Sequence, residues 1–199
     1  HIKLSRKKIP LIFTSSIQSK KNNPYGKSKL GAEKIIKEFS QNNNNPSTVF
    51  QLPGVFGKWC KPNYNSVVAT FCHNIARNLP IEIHDELKVI DLVYVDDVID
   101  AIINSLNKQN KNYEECTVNP SYSVSLMELA KQIKSFFDNN YNLTIGKTSK
   151  DFYRALYATY VSNLPQVKFL ENIPQHKDTR GKFVEFLKTN ENGQFSYFT

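Results

Sequence analysis

Ile9-Pro10-Leu11-Ile12-Phe13-Thr14-Ser15-Ser16 opens the stretch that decides the fold, which continues through NPYGKSKLGAEKIIKEFSQNNNNP (Asn23 to Pro46) into STVFQLPGV (Ser47 to Val55). The first run is apolar and ends on hydroxyls, as a buried strand does when its C-terminal end meets a polar site. Pro24 opens a helix, and from Tyr25 to about Gln41 the residues Leu30, Ala32, Ile35, Ile36 and Phe39 recur at helical spacing. QNNNNP (Gln41 to Pro46) stops that helix with residues expected to form a solvated turn. STVFQLPGV is the second strand. Strand, helix, strand in this order is the right-handed crossover unit of a parallel sheet.

The same alternation continues downstream. NYNSVVATFCHNIARN (Asn63 to Asn78) predicts a helix with Val67, Val68, Phe71 and Ile75 on its apolar face, and Ile81 to Ile83 is a short strand candidate. Val89 to Val95 predicts a stronger strand and Val98 to Asn107 the helix after it. Asp96 and Asp97 read as caps of that helix, because helical spacing follows them and the upstream apolar strands offer no third carboxylate for a metal pair. After the polar stretch Lys108 to Glu115, Cys116 to Val118 reads as a strand, and Ser125-x-x-Glu128 is a capping box ahead of LAKQIKSFF. Asp151 to Tyr160 is an aromatic-rich helix, Val161 to Pro174 a connector, and Lys182 to Thr199 a hairpin around Glu191-Asn192-Gly193. The class is α/β.

Composition narrows the function classes. The 199 residues are 40% hydrophobic and 12% aromatic, which excludes disorder over most of the length, and no apolar run is long enough to span a bilayer. The opening HIKLSRKKIPLIF is not expected to be a secretory leader, since its apolar run is short and leads straight into Thr14-Ser15-Ser16. The net charge is +8, yet 22 Lys stand against 4 Arg and are spread along the chain beside 22 Asn. That is a surface bias rather than a phosphate-tracking stripe, so no nucleic-acid partner is expected. Cys60, Cys72 and Cys116 lack paired spacing, which argues against a disulfide framework or a zinc site and for a reducing cytoplasm. No metal site is expected.

Tyr25-Gly26-Lys27-Ser28-Lys29 carries the chemistry. Residues four apart share a helix face, so the Tyr25 phenol and the Lys29 ammonium point the same way. A phenol is a poor acid or base near neutrality unless a cation favours its phenolate, and Lys29 is placed to do so. Ser16, at the end of the preceding strand, can hydrogen-bond a carbonyl oxygen beside the phenol. The three make a proton donor, its tuner and a carbonyl anchor.

With a strand ending in TSS before it, Asn-Pro at its start and LPGVFG after the helix, this arrangement resembles the extended short-chain dehydrogenase/reductases, a family of nucleotide-sugar epimerases, dehydratases and reductases. The resemblance covers about Ile9 to Asp138. It implies a Rossmann-like parallel sheet, an NADPH or NADH cofactor, a UDP-sugar substrate and a homodimer. On it, Ser16, Tyr25 and Lys29 are the catalytic residues, with Tyr25 and Lys29 also meeting the cofactor, and Pro53, Gly54, Val55 and Phe56 form the loop beside the nicotinamide. Lys58, Asn63, Tyr64, Asn65 and Arg77 would face the sugar nucleotide. Gly54 stands where relatives often have Asn, and Ile90 where many carry a phosphate-binding Arg, so diphosphate contacts are expected from Lys58, Lys61 or Arg77.

SSIQ, NPYGKSKLGAE, VFGKWCKPNYNSVVATFCHNIAR and DTRGKFVEFLKT together resemble, within that family, the bifunctional capsule enzymes that join a reductase to a C-terminal cupin. The resemblance implies reduction of the C4 keto group of a UDP-4-keto-6-deoxy-N-acetylhexosamine in capsule or O-antigen sugar synthesis. The alternatives are an inactive fragment or binding module with the same partial fold, or another epimerase or dehydratase. No G-x-x-G-x-x-G follows a strand in the sequence, and no HxH…E set occurs. The expectation is therefore a portion of a longer protein: residues 1–160 a reductase domain lacking its N-terminal dinucleotide-binding half, 161–174 a connector, and 175–199 the truncated all-β start of a cupin.

Overall fold

The computed structural model describes residues 8–108, 112–141, 144–145, 151–169, 173, 175–189 and 193–199. The opening basic residues up to Lys7, Pro174 of the connector, and Glu191 and Asn192 of the expected turn lie outside the described residues. In chain order the elements are β1 (Leu11–Ser16), α1 (Pro24–Asn43), β2 (Ser47–Leu52), β3 (Gly54–Phe56), α2 (Val67–Ala76), β4 (Val89–Tyr94) and α3 (Val95–Asn107). They continue with β5 (Tyr113–Cys116), β6 (Ser121–Ser125), α4 (Leu126–Tyr141), β7 (Thr144–Ile145), α5 (Asp151–Ser162), β8 (Gln175–Asp178), β9 (Gly181–Thr189) and β10 (Gly193–Phe198). Two compact units form: residues up to Val55 with Asp91–Ser123, and Phe56–Ile90 with Val124–Thr199. No helix among the described residues is long and apolar enough to cross a membrane.

The first unit is the crossover unit expected from the sequence. β1, β2 and β5 lie side by side in that order and run parallel, with Leu11 opposite Ser47 and Ser47 opposite Tyr113. β2 is buried along almost its whole length, the pattern of a central parallel strand covered on both faces. Phe50 and Leu52 pack with Val93, Val98 and Val118, and Ile12, Ala101, Ile102 and Cys116 close the cluster. Each large apolar side chain fully buried here contributes about 1.5–3 kcal/mol.

The asparagine tract departs from expectation. Asn44 takes the left-handed conformation at φ 48° and its N–H donates to the Ser40 carbonyl, ending α1. Asn45 is buried rather than solvated; its Nδ2 donates to the carbonyls of Ile9 (3.0 Å) and Pro46 (3.1 Å). That side chain fastens the loop to the start of β1.

Other differences have equally local causes. α2 begins at Val67, not Asn63, because Asn63 has φ 54° and Ser66 is the N-cap, accepting from the Ala69 N–H at 3.2 Å. Ile81 to Ile83 forms no strand: half-buried isoleucines flank an exposed Glu82, which imitates the strand period without a ladder. The strand expected at Cys116 to Val118 lies instead at Tyr113–Cys116, inside the stretch read as a polar loop. As an edge strand it tolerates the exposed Glu114 and Glu115. α3 begins at Val95, so Asp96 and Asp97 are not caps but first-turn residues, where carboxylates favour the positive end of the helix dipole. The Ser125 hydroxyl does accept from the Glu128 N–H (3.2 Å), as the capping box predicts.

β3, β4 and β6 form a second sheet in the order β3-β4-β6. In the second unit α2, α4 and α5 pack around Leu129, Ile133, Phe136, Leu156 and Tyr160, all buried. Phe136 is ringed by tyrosines, 4.8 Å between ring centroids from Tyr153, 5.2 Å from Tyr157 and 5.7 Å from Tyr160. A third sheet follows, in which β9 pairs antiparallel with β10 and β8 and parallel with β7. The hairpin expected over Lys182 to Thr199 is present as β9 and β10. The fold is α/β, a Rossmann-like parallel sheet followed by a largely antiparallel β-sheet at the C-terminal end.

Candidate active site

The hydroxyl cluster sits where β1 gives way to a 3-10 turn, Ile17–Lys20, that precedes α1. Ser16 caps that turn: its backbone is extended and its Oγ accepts from the Gln18 N–H at 3.2 Å. A hydroxyl used as an acceptor keeps its own proton for donation, so Ser16 can still serve a carbonyl oxygen.

α1 begins with Asn23 as N-cap, its Oδ1 accepting from the Gly26 N–H at 2.7 Å, and Pro24 in the first turn. A Cβ on the buried Gly26 would overlap the carbonyl oxygens of Gln18 and Lys21. The glycine thus lets the helix start, with Tyr25 beside it, press against the turn that Ser16 caps. Tyr25 is 52% exposed, open to a ligand. One turn on, Lys29 sends Nζ to the Thr14 carbonyl at 3.1 Å, and the same ammonium lies 5.8 Å from the Tyr25 ring centroid and 5.1 Å from that of Phe13. The strand end, the phenol and the ammonium are brought together as their spacing implies.

The residues expected beside the nicotinamide behave unequally. Phe56 is fully buried, its ring edge-on to Phe152 at 5.9 Å, and Gly54 packs so closely on β4 that an added Cβ would meet the Asp91 carbonyl oxygen and Leu92 Cδ2 at 3.1 Å. Val55 is exposed and Pro53 half-buried.

Beyond β3 the loop 57–66 projects aromatic and basic side chains. Gly57, Trp59 and Asn63 all have positive φ, and Trp59 and Tyr64 are strongly exposed. Lys58 lies 6.0 Å from the Trp59 ring centroid and Lys61 5.7 Å from that of Tyr64. Asn63 donates its N–H to Thr70 Oγ1 at 2.9 Å, which ties the loop to α2, and Asn65 is exposed. Arg77 is engaged structurally: its Nη1 donates to the carbonyls of His73 (3.2 Å) and Asn163 (2.8 Å).

Several titratable groups are perturbed away from this constellation. Burial, with Arg77 second, lowers His73; burial and a hydrogen bond to Glu115 raise the Tyr113 phenol; burial alone pushes the Cys72 thiol up. All three cysteines are free, and no metal-ligating cluster occurs among the described residues.

Sequence reasoning missed one pair in the site. Ser15, between Thr14 and Ser16, is buried and its Oγ donates to Oε1 of the buried Glu33. The available signal was the position of Glu33, four residues after Lys29 and hence on its helix face.

The chain is 46% identical over 191 residues to the UDP-2-acetamido-2,6-beta-L-arabino-hexul-4-ose reductase of Pseudomonas aeruginosa, matching 96% of this chain and 51% of that protein. Its fold matches the capsular polysaccharide assembling protein CapF of Staphylococcus aureus with a TM-score of 0.90 at 36% identity, over 98% of this chain and 54% of CapF. The UDP-N-acetylglucosamine 4-epimerase of Methanobrevibacter ruminantium shares the fold at 19% identity, with a TM-score of 0.64 over 77% of this chain and 62% of the epimerase. The chain spans about half the length of the first two of these relatives. Residues 6–119, more than half of the sequence, match the NAD dependent epimerase/dehydratase family, and together with the strand-end serine and the Tyr25–Lys29 pair of α1 this establishes that the chain belongs to that family.

Proposed function

We propose that the protein carrying this chain reduces the C4 keto group of a UDP-4-keto-6-deoxy-N-acetylhexosamine with NADPH or NADH, in the synthesis of capsule or O-antigen sugar nucleotides. The observation that carries this reading is the 46% identity with a sugar-nucleotide 4-keto reductase across nearly the whole chain. The Lys29 ammonium, held between the Thr14 carbonyl and the Tyr25 ring, supports it independently. In this reading residues 1–160 form the reductase portion, 161–174 the connector and 175–199 the first strands of a cupin. A UDP-sugar is the substrate, the protein works in the cytoplasm, and two copies form a homodimer.

The donor set suits the ribose and nicotinamide end of a dinucleotide: an ammonium fixed by a main-chain carbonyl beside an exposed phenol. A reduced nicotinamide held there would supply the hydride that C4 of the sugar accepts. Tyr25 gives its proton to the C4 oxygen, so that carbonyl becomes alcohol and the phenol becomes phenolate, later reprotonated from solvent. Lys29 stabilises the negative charge developing on the phenol and bonds the ribose hydroxyls. Ser16 donates its free proton to the same C4 oxygen and orients it. Val55, Pro53 and Gly54 would line the nicotinamide side, with Phe56 acting through packing. Lys58, Asn63, Tyr64, Asn65 and Arg77 would face the sugar nucleotide, Arg77 keeping its Nη1 contacts to the His73 and Asn163 carbonyls.

Tyr25→Phe in the complete gene product tests the assignment. Turnover, read as loss of reduced-nicotinamide absorbance, should fall by about 10²–10⁴-fold, since proton transfer by a placed side chain is worth that much, while NADPH binding stays nearly intact. Retained turnover overturns the assignment.

A further inference from the structure

We infer that Glu33 is a positioning residue for this reaction: its buried carboxyl group holds Ser15 against α1 and so keeps the Ser16 hydroxyl on the opposite face of β1, free for the substrate. The inference rests on the reading of Ser16, Tyr25 and Lys29 given above. Thr14, Ser15 and Ser16 offer three hydroxyls in a row, and in a strand successive side chains point to opposite faces, so a slip of one residue exchanges the hydroxyl presented. The structure resolves that ambiguity at one place. Ser15 and Glu33 are 5% and 6% exposed, and the Ser15 hydroxyl donates to Glu33 Oε1.

Glu33 and Lys29 are four apart on α1, on one face. Lys29 takes the carbonyl of Thr14 and Glu33 the hydroxyl of Ser15, so two successive helical turns grip two successive strand residues. Gly26, earlier on the same helix, abuts the carbonyls of Gln18 and Lys21. The three contacts set helix rotation and strand register together, and among the described residues the Ser16 hydroxyl is left with only the main-chain contact from Gln18. A buried carboxyl group is unfavourable unless its oxygens are hydrogen-bonded, and an aliphatic side chain would fill a helix face equally well. Glu33 therefore acts on Ser16 through Ser15 and itself touches no reacting atom.

The test uses the complete gene product with Glu33→Met, Glu33→Gln, Ser15→Ala and the Ser15→Ala/Glu33→Met double variant, with Tyr25→Phe as reference. Misplacing a reacting group by about an ångström reduces rates by up to about 10²-fold. Glu33→Met and Ser15→Ala should each lower kcat about 10-fold or more, with KM for the sugar nucleotide and NADPH affinity changed less than about 2-fold. Glu33→Gln, which keeps an acceptor oxygen, should restore most of kcat, and the double variant should be no slower than the slower single one because both remove one contact. Wild-type kcat in Ser15→Ala overturns the inference even if Glu33→Met does not fold, and so does a kcat loss that merely follows a loss of folded protein. Wild-type kcat in the Glu33 and Ser15 variants with a dead Tyr25→Phe removes only the positioning role; an active Tyr25→Phe removes the site reading and this inference together.

Discussion

Lys29 Nζ stands 3.1 Å from the carbonyl oxygen of Thr14 and 5.8 Å from the centre of the Tyr25 ring. One ammonium therefore links the end of a strand to the first turn of the following helix, and it is oriented by main chain rather than by a side chain that a substitution could remove. Lys29→Met should lower turnover by about 10²-fold or more, because it deletes the oriented charge and, on the proposed function, the ribose contact as well. Lys29→Arg should recover little, since a planar guanidinium on a different stem cannot replace a compact ammonium at that carbonyl. Steady-state rates of the two variants in the complete gene product check this; equal rates for Arg and Lys would refute it.

Gly26→Ala should be harmful although Ala is the better helix former. The added methyl collides with two carbonyl oxygens, those of Gln18 and Lys21, which belong to backbone and cannot swing aside. Overpacking of this kind costs about 1–3 kcal/mol, and the helix start must shift to relieve it. We expect a lower thermal midpoint together with a lower kcat. An unchanged midpoint would mean that the turn yields freely.

Asn45→Ala should destabilise by about 1–3 kcal/mol, the range for removing a buried partner and leaving polar groups unsatisfied. The carbonyls of Ile9 and Pro46 lose their donor together. Asn42→Ala, one turn back on the exposed surface of α1, should change stability by less than about 0.5 kcal/mol. Chemical denaturation midpoints of the two variants measure the contrast.

Cys72 should resist alkylation at mildly alkaline pH until the protein unfolds, whereas the half-buried Cys60 reacts in the native state. Burial raises the Cys72 thiol above the ordinary value of about 8.5. Its contribution to stability is thus fully present below that value. Above it the unfolded chain loses its proton first, binds fewer protons than the native state, and stability falls as pH rises. Mass spectrometry after a brief iodoacetamide pulse, with and without denaturant, checks the first point. Comparing the alkaline slope of stability in wild type and Cys72→Ala checks the second.

The parallel crossover unit was legible because its signals agree: an apolar run, a 3.6-residue period over Leu30 to Phe39, and a second apolar run. The approach of the Lys29 ammonium to the Tyr25 ring was legible too, because residues four apart share a helix face. Ser15 and Glu33 were missed: Glu33 shares the helix face of Lys29, but neither a serine next to a serine nor a glutamate in a lysine-rich helix shows burial until the helix is laid on the strand. β5 was misplaced for a related reason. A strand at the margin of a sheet is recognised by its partner's backbone and not by its own side chains, and Tyr-Glu-Glu-Cys offers little apolar pattern to read. The loop 57–66 was expected to face a ligand only through resemblance; its positive φ at Asn63 suits an asparagine, whereas that at Trp59 has no signal in residue type.

The run Asn42-Asn43-Asn44-Asn45 looks like filler that could lengthen or shorten freely, as repeats of one amino acid often do. In the folded chain its members are not interchangeable: Asn43 donates back to the Phe39 carbonyl, Asn44 turns the chain through the left-handed region, and Asn45 is sealed against the start of β1. Gain or loss of a single asparagine would leave the composition almost untouched yet move a different residue into each of these roles. A change of length in this repeat would therefore cost stability even though it barely alters composition.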